Sequence, residues 1–477
     1  MVKNVGFAGH RKTMVIYGLN FKIENHKLKG VVHKRKTYRN GFYLKTWLFS
    51  FRSTVILQRA CVVFVFLFLF DSLPAQVFKA GVAVRIITPH PLLPVSGGVG
   101  TPKPSHIQKG DLYARALVLQ KGTTTIAIVS VDNLGWPSVL GDKSRKLIKG
   151  IPPENILIGA THTHSAPDAY GFPDKSGKSS VDLKYLDWCV HQIADAVNEA
   201  ATNLQPASLK TAMAEAEGKI AYNYYAPELY DPRCSVLQVI SNAGKNKGNP
   251  ISTLINYAIH PEIIGSSRDI LSPDLCGPLY DRIAEKGGGV AIFMNSAQGG
   301  MVTADNRLPG GKEANDWNEC IRIGDLLADE ALRIISDAPV QNSPDLYCTS
   351  RTITFPVENE EMKFILEHSP LSYKSLGSDS IAPRLNLLNI GTAQVLTIPG
   401  EALPNIGYYV KRHMHTKQPF LFGLTNDAFG YILDKVDFNS FKRYDYICRT
   451  SLGPLTGDIY INEVLNWLQT APSPQKE

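Results

Sequence analysis

The sequence predicts an α/β fold: a mixed β-sheet core surrounded by helices, with a metal site at strand ends. Three observations predict it. Short apolar runs rich in Val, Ile and Thr alternate with longer amphipathic segments, the pattern of sheets layered with helices. Nothing between Gln76 and Pro472 reads as a linker, a repeat or a low-complexity stretch, so residues 76–477 form a single expected domain. Polar residues also stand directly after the apolar part of several strand runs: Asp132, His162, His164, His260, Asn295, Gln298, Glu401, Asn426 and Asp427. Open α/β sheets build their sites beyond the carboxyl ends of strands.

Each element has its own signal. TTIAIVSVD (Thr124–Asp132) reads as a strand, and SVLGDKSRKLIKG as a helix stopped by Gly150. NILIGATHTH reads as a strand, and Val181–Leu204 as a long amphipathic helix. ISTLINYAIHP is a strand, Leu275–Gly288 a helix with a glycine stop, and Gly289–Gly300 a strand entering a glycine turn. Glu313–Ile335 is helical, and Leu387–Glu401 gives two strand runs around a turn. EALPNIGYYVKRHMH is helical, Pro419–Asp427 is a strand, and INEVLNWLQTA is a C-terminal helix.

Composition is that of a globular chain: 477 residues, 44% hydrophobic and 19% charged. The formal charge of +7 is not a nucleic-acid signature, because the basic excess sits in residues 1–60, where Glu24 is the one acid. Behind it, ACVVFVFLFLF (Ala60–Phe70) follows Arg52 and Arg59 and exits through SLPAQ, the pattern of a secretory signal cleaved after Ala75. Residues 1–75 are therefore expected to be a basic leader and signal peptide, and the chain to be secreted or periplasmic. An uncleaved N-terminal anchor is the alternative, although the run is shorter than the roughly 20 apolar residues of a spanning helix. Six cysteines remain beyond the signal, widely spaced and without a CxxC pair. They make neither a disulfide framework nor a zinc knuckle.

ATHTHSAPD (Ala160–Asp168) raises a chemical question. Its two histidines either bind a metal or belong to a turn rich in imidazole. On an extended segment, His-x-His points both rings to one face. Zinc accepts imidazole nitrogen and carboxylate oxygen, and a catalytic site leaves one position for water. His413 and His415 repeat the spacing within the helical KRHMHTK, where i, i+2 residues diverge, and read as surface. His260 and Glu401 stand at comparable strand ends. Taken singly, His260 can equally be a core histidine, and Glu401 a helix-start residue.

GVAVRIITPH, DLYARALVL, IVSVDNLG, ATHTHSAPD, INYAIHPEI, NSAQGG, LTIPGEA, NDAFGYI and RYDYICRTSLGPLTGD carry a resemblance. In this order, from Gly81 to Asp458, they resemble the catalytic domain of the neutral/alkaline non-lysosomal ceramidase family. The resemblance implies one catalytic Zn2+ held by His162, His260, Glu401 and Tyr431. It also implies that His164 is a catalytic residue beside the metal-bound water and substrate, with Tyr431 acting as well as binding. The implied activity is that of a zinc-dependent amidohydrolase, cleaving the C–N bond of N-acyl sphingosine or a related N-acyl compound.

Three departures shift attention to the substrate. The family carries GDVSP at the glycine turn, whereas GGMVTAD here puts Val302 at the serine position, with Thr303 beside it. An arginine expected after an asparagine is replaced in Asn223-Tyr224-Tyr225. The immunoglobulin-like domain that follows in the family has no counterpart before Glu477. Specificity resides in such contacts, so a different ester or sugar-linked substrate on the same zinc scaffold is an alternative, as is a non-catalytic binding protein. A small-molecule or lipid-like N-acyl partner is expected, and no nucleic acid. No long apolar loop or basic amphipathic helix offers a membrane seat, leaving only an uncleaved leader or the substrate itself. Asp274 and Asp305 are as readily turn or cap residues as site residues.

Overall fold

The computed structural model describes residues 76–373 and 379–476. The leader and signal readings lie outside the described residues. Eight strands build the main sheet: β1 (Lys79–Ile86), β2 (Tyr113–Lys121), β3 (Thr124–Val131), β4 (Ile156–Ala160), β5 (Gln205–Glu215), β6 (Arg233–Ser241), β7 (Pro250–Tyr257) and β8 (Val290–Asn295). Their order across the sheet is β8-β7-β6-β5-β1-β2-β3-β4. Neighbours run antiparallel, except for the parallel pairs β7/β8 and β3/β4 at the two edges. A second sheet holds β9 (Leu346–Thr352), β10 (Arg384–Ile390), β11 (Ala393–Thr397) and β12 (Gln418–Phe422), in that order, with β11/β12 parallel.

The two sheets pack face to face. Leu117, Ile128, Leu254 and Ile292 of the large sheet share one apolar cluster with Leu388, Val395 and Phe420 of the small one. Helices cover both outer faces. Helices α1 (Ser138–Leu147) and α2 (Leu183–Thr202) lie on the β1–β4 half. Helices α3 (Cys276–Glu285) and α4 (Trp317–Ser336) lie on the other half. Helices α5 (Glu360–His368), α6 (Pro404–His413) and α7 (Thr456–Thr470) cover the small sheet. This four-layer arrangement explains the strand sequences. In β3, Ile126 and Ile128 face the second sheet while Ala127, Val129 and Val131 face the helices, so TTIAIVSV is apolar on both faces. Helix α4 opens on Asp316, whose carboxylate accepts the Glu319 N–H, and buries Cys320, Ile323, Leu327 and Ala331 at helical spacing.

The mixed α/β class is therefore observed, with more antiparallel pairing than strand–helix alternation alone suggests. β5 and β9 escape a search for apolar runs because polar residues interrupt both; β9 is an edge strand with no fully buried residue. The six cysteines among the described residues are all free thiols, five of them buried. Among the described residues no helix is long and apolar enough to cross a membrane.

Candidate metal centre

The parallel strand ends converge on one place. β4 stops at Ala160, and the backbone then bends sharply, with φ of 74° at His162. Such a conformation is costly for a residue with a Cβ, and it collects at functional sites. The expected extension of this strand through His164 is therefore corrected: a kink, not strand alternation, sets the two rings. They stand 4.8 Å apart, edge to face. β7 ends at Tyr257, three residues before His260. Asn295, the last residue of β8, joins the two ends: its amide nitrogen donates to the carbonyls of Thr161 (3.0 Å) and Ile259 (2.7 Å). The His164 N–H adds a bond to the Pro261 carbonyl (3.0 Å).

Glu401 arrives from the second sheet. It lies in a two-residue strand, Glu401–Ala402, paired in parallel with Tyr431–Ile432 so that Glu401 and Tyr431 stand side by side. Helix α6 begins later, at Pro404, so Glu401 is not a helix-start residue. The glycine turn makes the approach possible. A Cβ on Gly299 would lie 2.3 Å from the Glu401 carbonyl oxygen, and the Gly299 N–H donates to Ala402 O at 2.9 Å.

The resulting geometry suits a cation. His162 Nδ1 lies 2.5 Å from the Leu134 carbonyl, and His260 Nδ1 lies 2.7 Å from the Val302 carbonyl. A carbonyl only accepts, so each Nδ1 carries a proton. Each Nε2 then faces Glu401 Oε2, at 3.3 Å for His162 and 3.1 Å for His260. Two imidazole lone pairs against a carboxylate oxygen repel unless a proton or a metal ion lies between them. Fixing ligand histidines through the other ring nitrogen is the usual outer-shell device. The candidate ligand atoms of His162, His164 and His260 all lie within 4.8 Å of one another. Val302 contributes through its main chain, which explains how a valine serves at this position.

Electrostatics separate the members. Burial disfavours charge on Glu401, but His162 and His260 overcome it and hold the carboxyl well below its usual range. Burial likewise opposes charge on His260, yet the Glu401 hydrogen bond and the nearby carboxylates raise its pKa. His164 is pulled down to about 3, mainly by burial. Its Nδ1 lies 3.4 Å from Glu262 Oε2, and its buried Nε2 has no hydrogen-bond partner. Glu262 in turn bonds the Thr303 side chain. This residue escaped the sequence reasoning, although the signal, a carboxylate two positions after His260, was in view. Burial, followed by the charge on Glu401, raises the Tyr431 phenol well above its usual value. Its O–H donates to Met301 Sδ at 3.3 Å.

His162, His164, Glu401 and Tyr431 all open on one cavity. Its other walls are mostly apolar: Val99, Leu134, Phe172, Phe429, and Met362 and Ile365 of α5. Asp427 and Tyr446 are among its polar members. The remaining sequence candidates fall elsewhere. Asp132 is bonded by the Tyr280 hydroxyl and the Tyr113 N–H, and Asn426 by Arg145. Asp274 ties down the Ile264 N–H, and Asp305 pairs with Arg307. His413 and His415 are exposed.

The chain thus has a two-sheet α/β fold with a histidine–carboxylate cluster at its strand ends, and solved structures share the fold. The crystal structure of neutral ceramidase from Pseudomonas aeruginosa matches with a TM-score of 0.65 and 17% identity, over 84% of this chain and 76% of that one. A structure described as a ceramidase complexed with C2 matches with a TM-score of 0.65 and 16% identity, over the same shares. At these identities the likeness establishes the fold. No protein-family model matches the chain, and no curated protein matches it.

Proposed function

We propose that the chain is an exported zinc-dependent hydrolase that cleaves the C–N amide bond of an N-acyl compound. One observation carries the reading: buried His162, half-buried His164 and buried Glu401 line an apolar cavity, with buried His260 directly behind them, on a fold shared with ceramidases. His162, His260, Glu401 and Tyr431, which pairs beside Glu401, would hold the metal. A zinc ion in such a site supplies Lewis acidity and a nucleophilic water at neutral pH. The apolar walls would take the acyl chain and keep bulk water from the reacting amide. His164, neutral and with its Nδ1 turned to Glu262, leaves an unpartnered Nε2 suited to accept a proton at the reacting centre. The Tyr431 phenol, kept protonated, is a hydrogen-bond donor toward the acyl oxygen. The basic flank and apolar run of residues 52–76 support export.

The closeness of the three imidazole rings supports a second ligand set, in which His164 replaces Tyr431. Metal analysis of purified His162→Ala and His260→Ala, paired with assays of fatty acid release from N-acyl amides, tests the proposal. The expected result is loss of bound zinc and of turnover in both. Full zinc occupancy in both variants sinks the ligand assignment. Zinc-replete protein that cleaves esters but no amide would leave the metal site and replace the bond.

A further inference from the structure

Glu262 and Met301 stand between the apolar cavity and a second cleft. On one side, Glu262 lies against His164 and Met301 accepts the Tyr431 O–H. On the other, both line a polar cleft with Tyr222, Tyr224, Arg268 and Thr303. Glu313 lines it as well. Tyr224 is exposed, and the cleft it lines holds a guanidinium supplied by Arg268. Arg268 donates to the Ile264 carbonyl at 2.5 Å and joins no ion pair among the described residues. The cleft thus offers a guanidinium without a carboxylate partner and, at the wall nearest the histidines, the Glu262 carboxylate.

We propose that this cleft is the subsite for the amine half of the substrate, and that this half is an α-amino acid. The inference rests on the amide-hydrolase reading. Hydrolysis adds water across the acyl C–N bond, giving a fatty acid and a free amine. The apolar cavity, lined by His162, Glu401 and Tyr431, would take one alkyl chain, and the cleft on the far side of Glu262 and Met301 one short polar group. Two alkyl chains would put the second one against Glu262, Arg268 and Glu313, where their desolvation has no return. Opposite charges along the cleft match an amino acid: Arg268 pairs with its carboxylate in a fork geometry, and Glu262 meets its nitrogen once freed as an ammonium. A hydroxyl-terminated amine of equal length gives Arg268 no anion.

Calorimetric titration of the metal-loaded protein with N-lauroylglycine and N-lauroylethanolamine separates these cases, because the two share an acyl chain. The glycine conjugate is expected to bind about tenfold tighter, the worth of one charge-assisted pair. Arg268→Ala is expected to erase that preference, and Arg268→Lys to restore part of it. Equal affinities in the unaltered protein overturn the proposal, as does a preference that survives Arg268→Ala, which would put the carboxylate on another group such as the metal. An Arg268-dependent preference without release of lauric acid keeps the subsite and removes the amide reading. Equal binding with release of lauric acid from both does the reverse.

Discussion

His164 and His162 are two residues apart and differently employed. His162 gives its Nδ1 proton to a carbonyl and turns Nε2 to Glu401; His164 turns Nδ1 to Glu262 and leaves Nε2 without a partner. On the proposed division of roles, His164→Ala retains zinc and loses turnover by roughly 10²–10⁴-fold, the usual worth of a positioned acid–base group. Zinc analysis decides: a variant that loses its zinc makes His164 a ligand. Asp168 permits a separate test. Burial lifts its carboxyl to about 6, although the N–H groups of Tyr170, Gly171 and Phe172 oppose the shift. A folded pKa above the unfolded one means that the folded state holds the extra proton. This contribution is intact below about pH 4 and disappears as pH rises through 6, a span of about 2–3 kcal/mol. Asp168→Asn is therefore expected to be less damaging at pH 8 than at pH 4 in urea unfolding, and a cost equal at both refutes the shift.

Most helices and the strands β3, β4, β7, β8, β10, β11 and β12 were legible because burial on both faces writes itself as an apolar run, whereas β1, β2, β6 and helix α5 were not read as elements. β5 and β9 were not, since polar residues break their patterns. His162, His260 and Glu401 were legible as polar residues ending apolar runs, but the kink at His162 was not: no local residue type announces a φ of 74° on histidine. Nor was the role of Asn295, which depends on β4, β7 and β8 ending together. Glu262 was passed over because its partner His164 is almost a hundred positions away. The glycine turn gives the sharpest prediction at this scale. A methyl group on Gly299 would meet the Glu401 carbonyl at 2.3 Å. Gly299→Ala should cost about 1–3 kcal/mol and lower the zinc content with it. Thermal unfolding and metal analysis check both effects, and an unchanged melting temperature would show that the turn has room to spare.

Across the whole molecule, His162 and His260 stand just past strands β4 and β7 of the large sheet, and Glu401 stands four residues past the end of β11 of the small one. An ion bound among them ties the two sheets together, and binding to the folded state alone stabilises it by RT ln(1 + [L]/Kd), about 4 kcal/mol at a thousandfold excess over Kd. Chelation should therefore lower the melting temperature by several degrees, and re-addition of zinc should restore it. A chelator-insensitive transition would favour the binding-protein alternative. The distance in sequence between these residues also bears on the order of events during folding. Loop closures of 98 and 141 residues separate His162 from His260 and His260 from Glu401. Contacts of such long range form late. The nascent chain thus has no preformed pocket in which to trap a stray cation, and incorporation of the ion reports that both sheets have already docked.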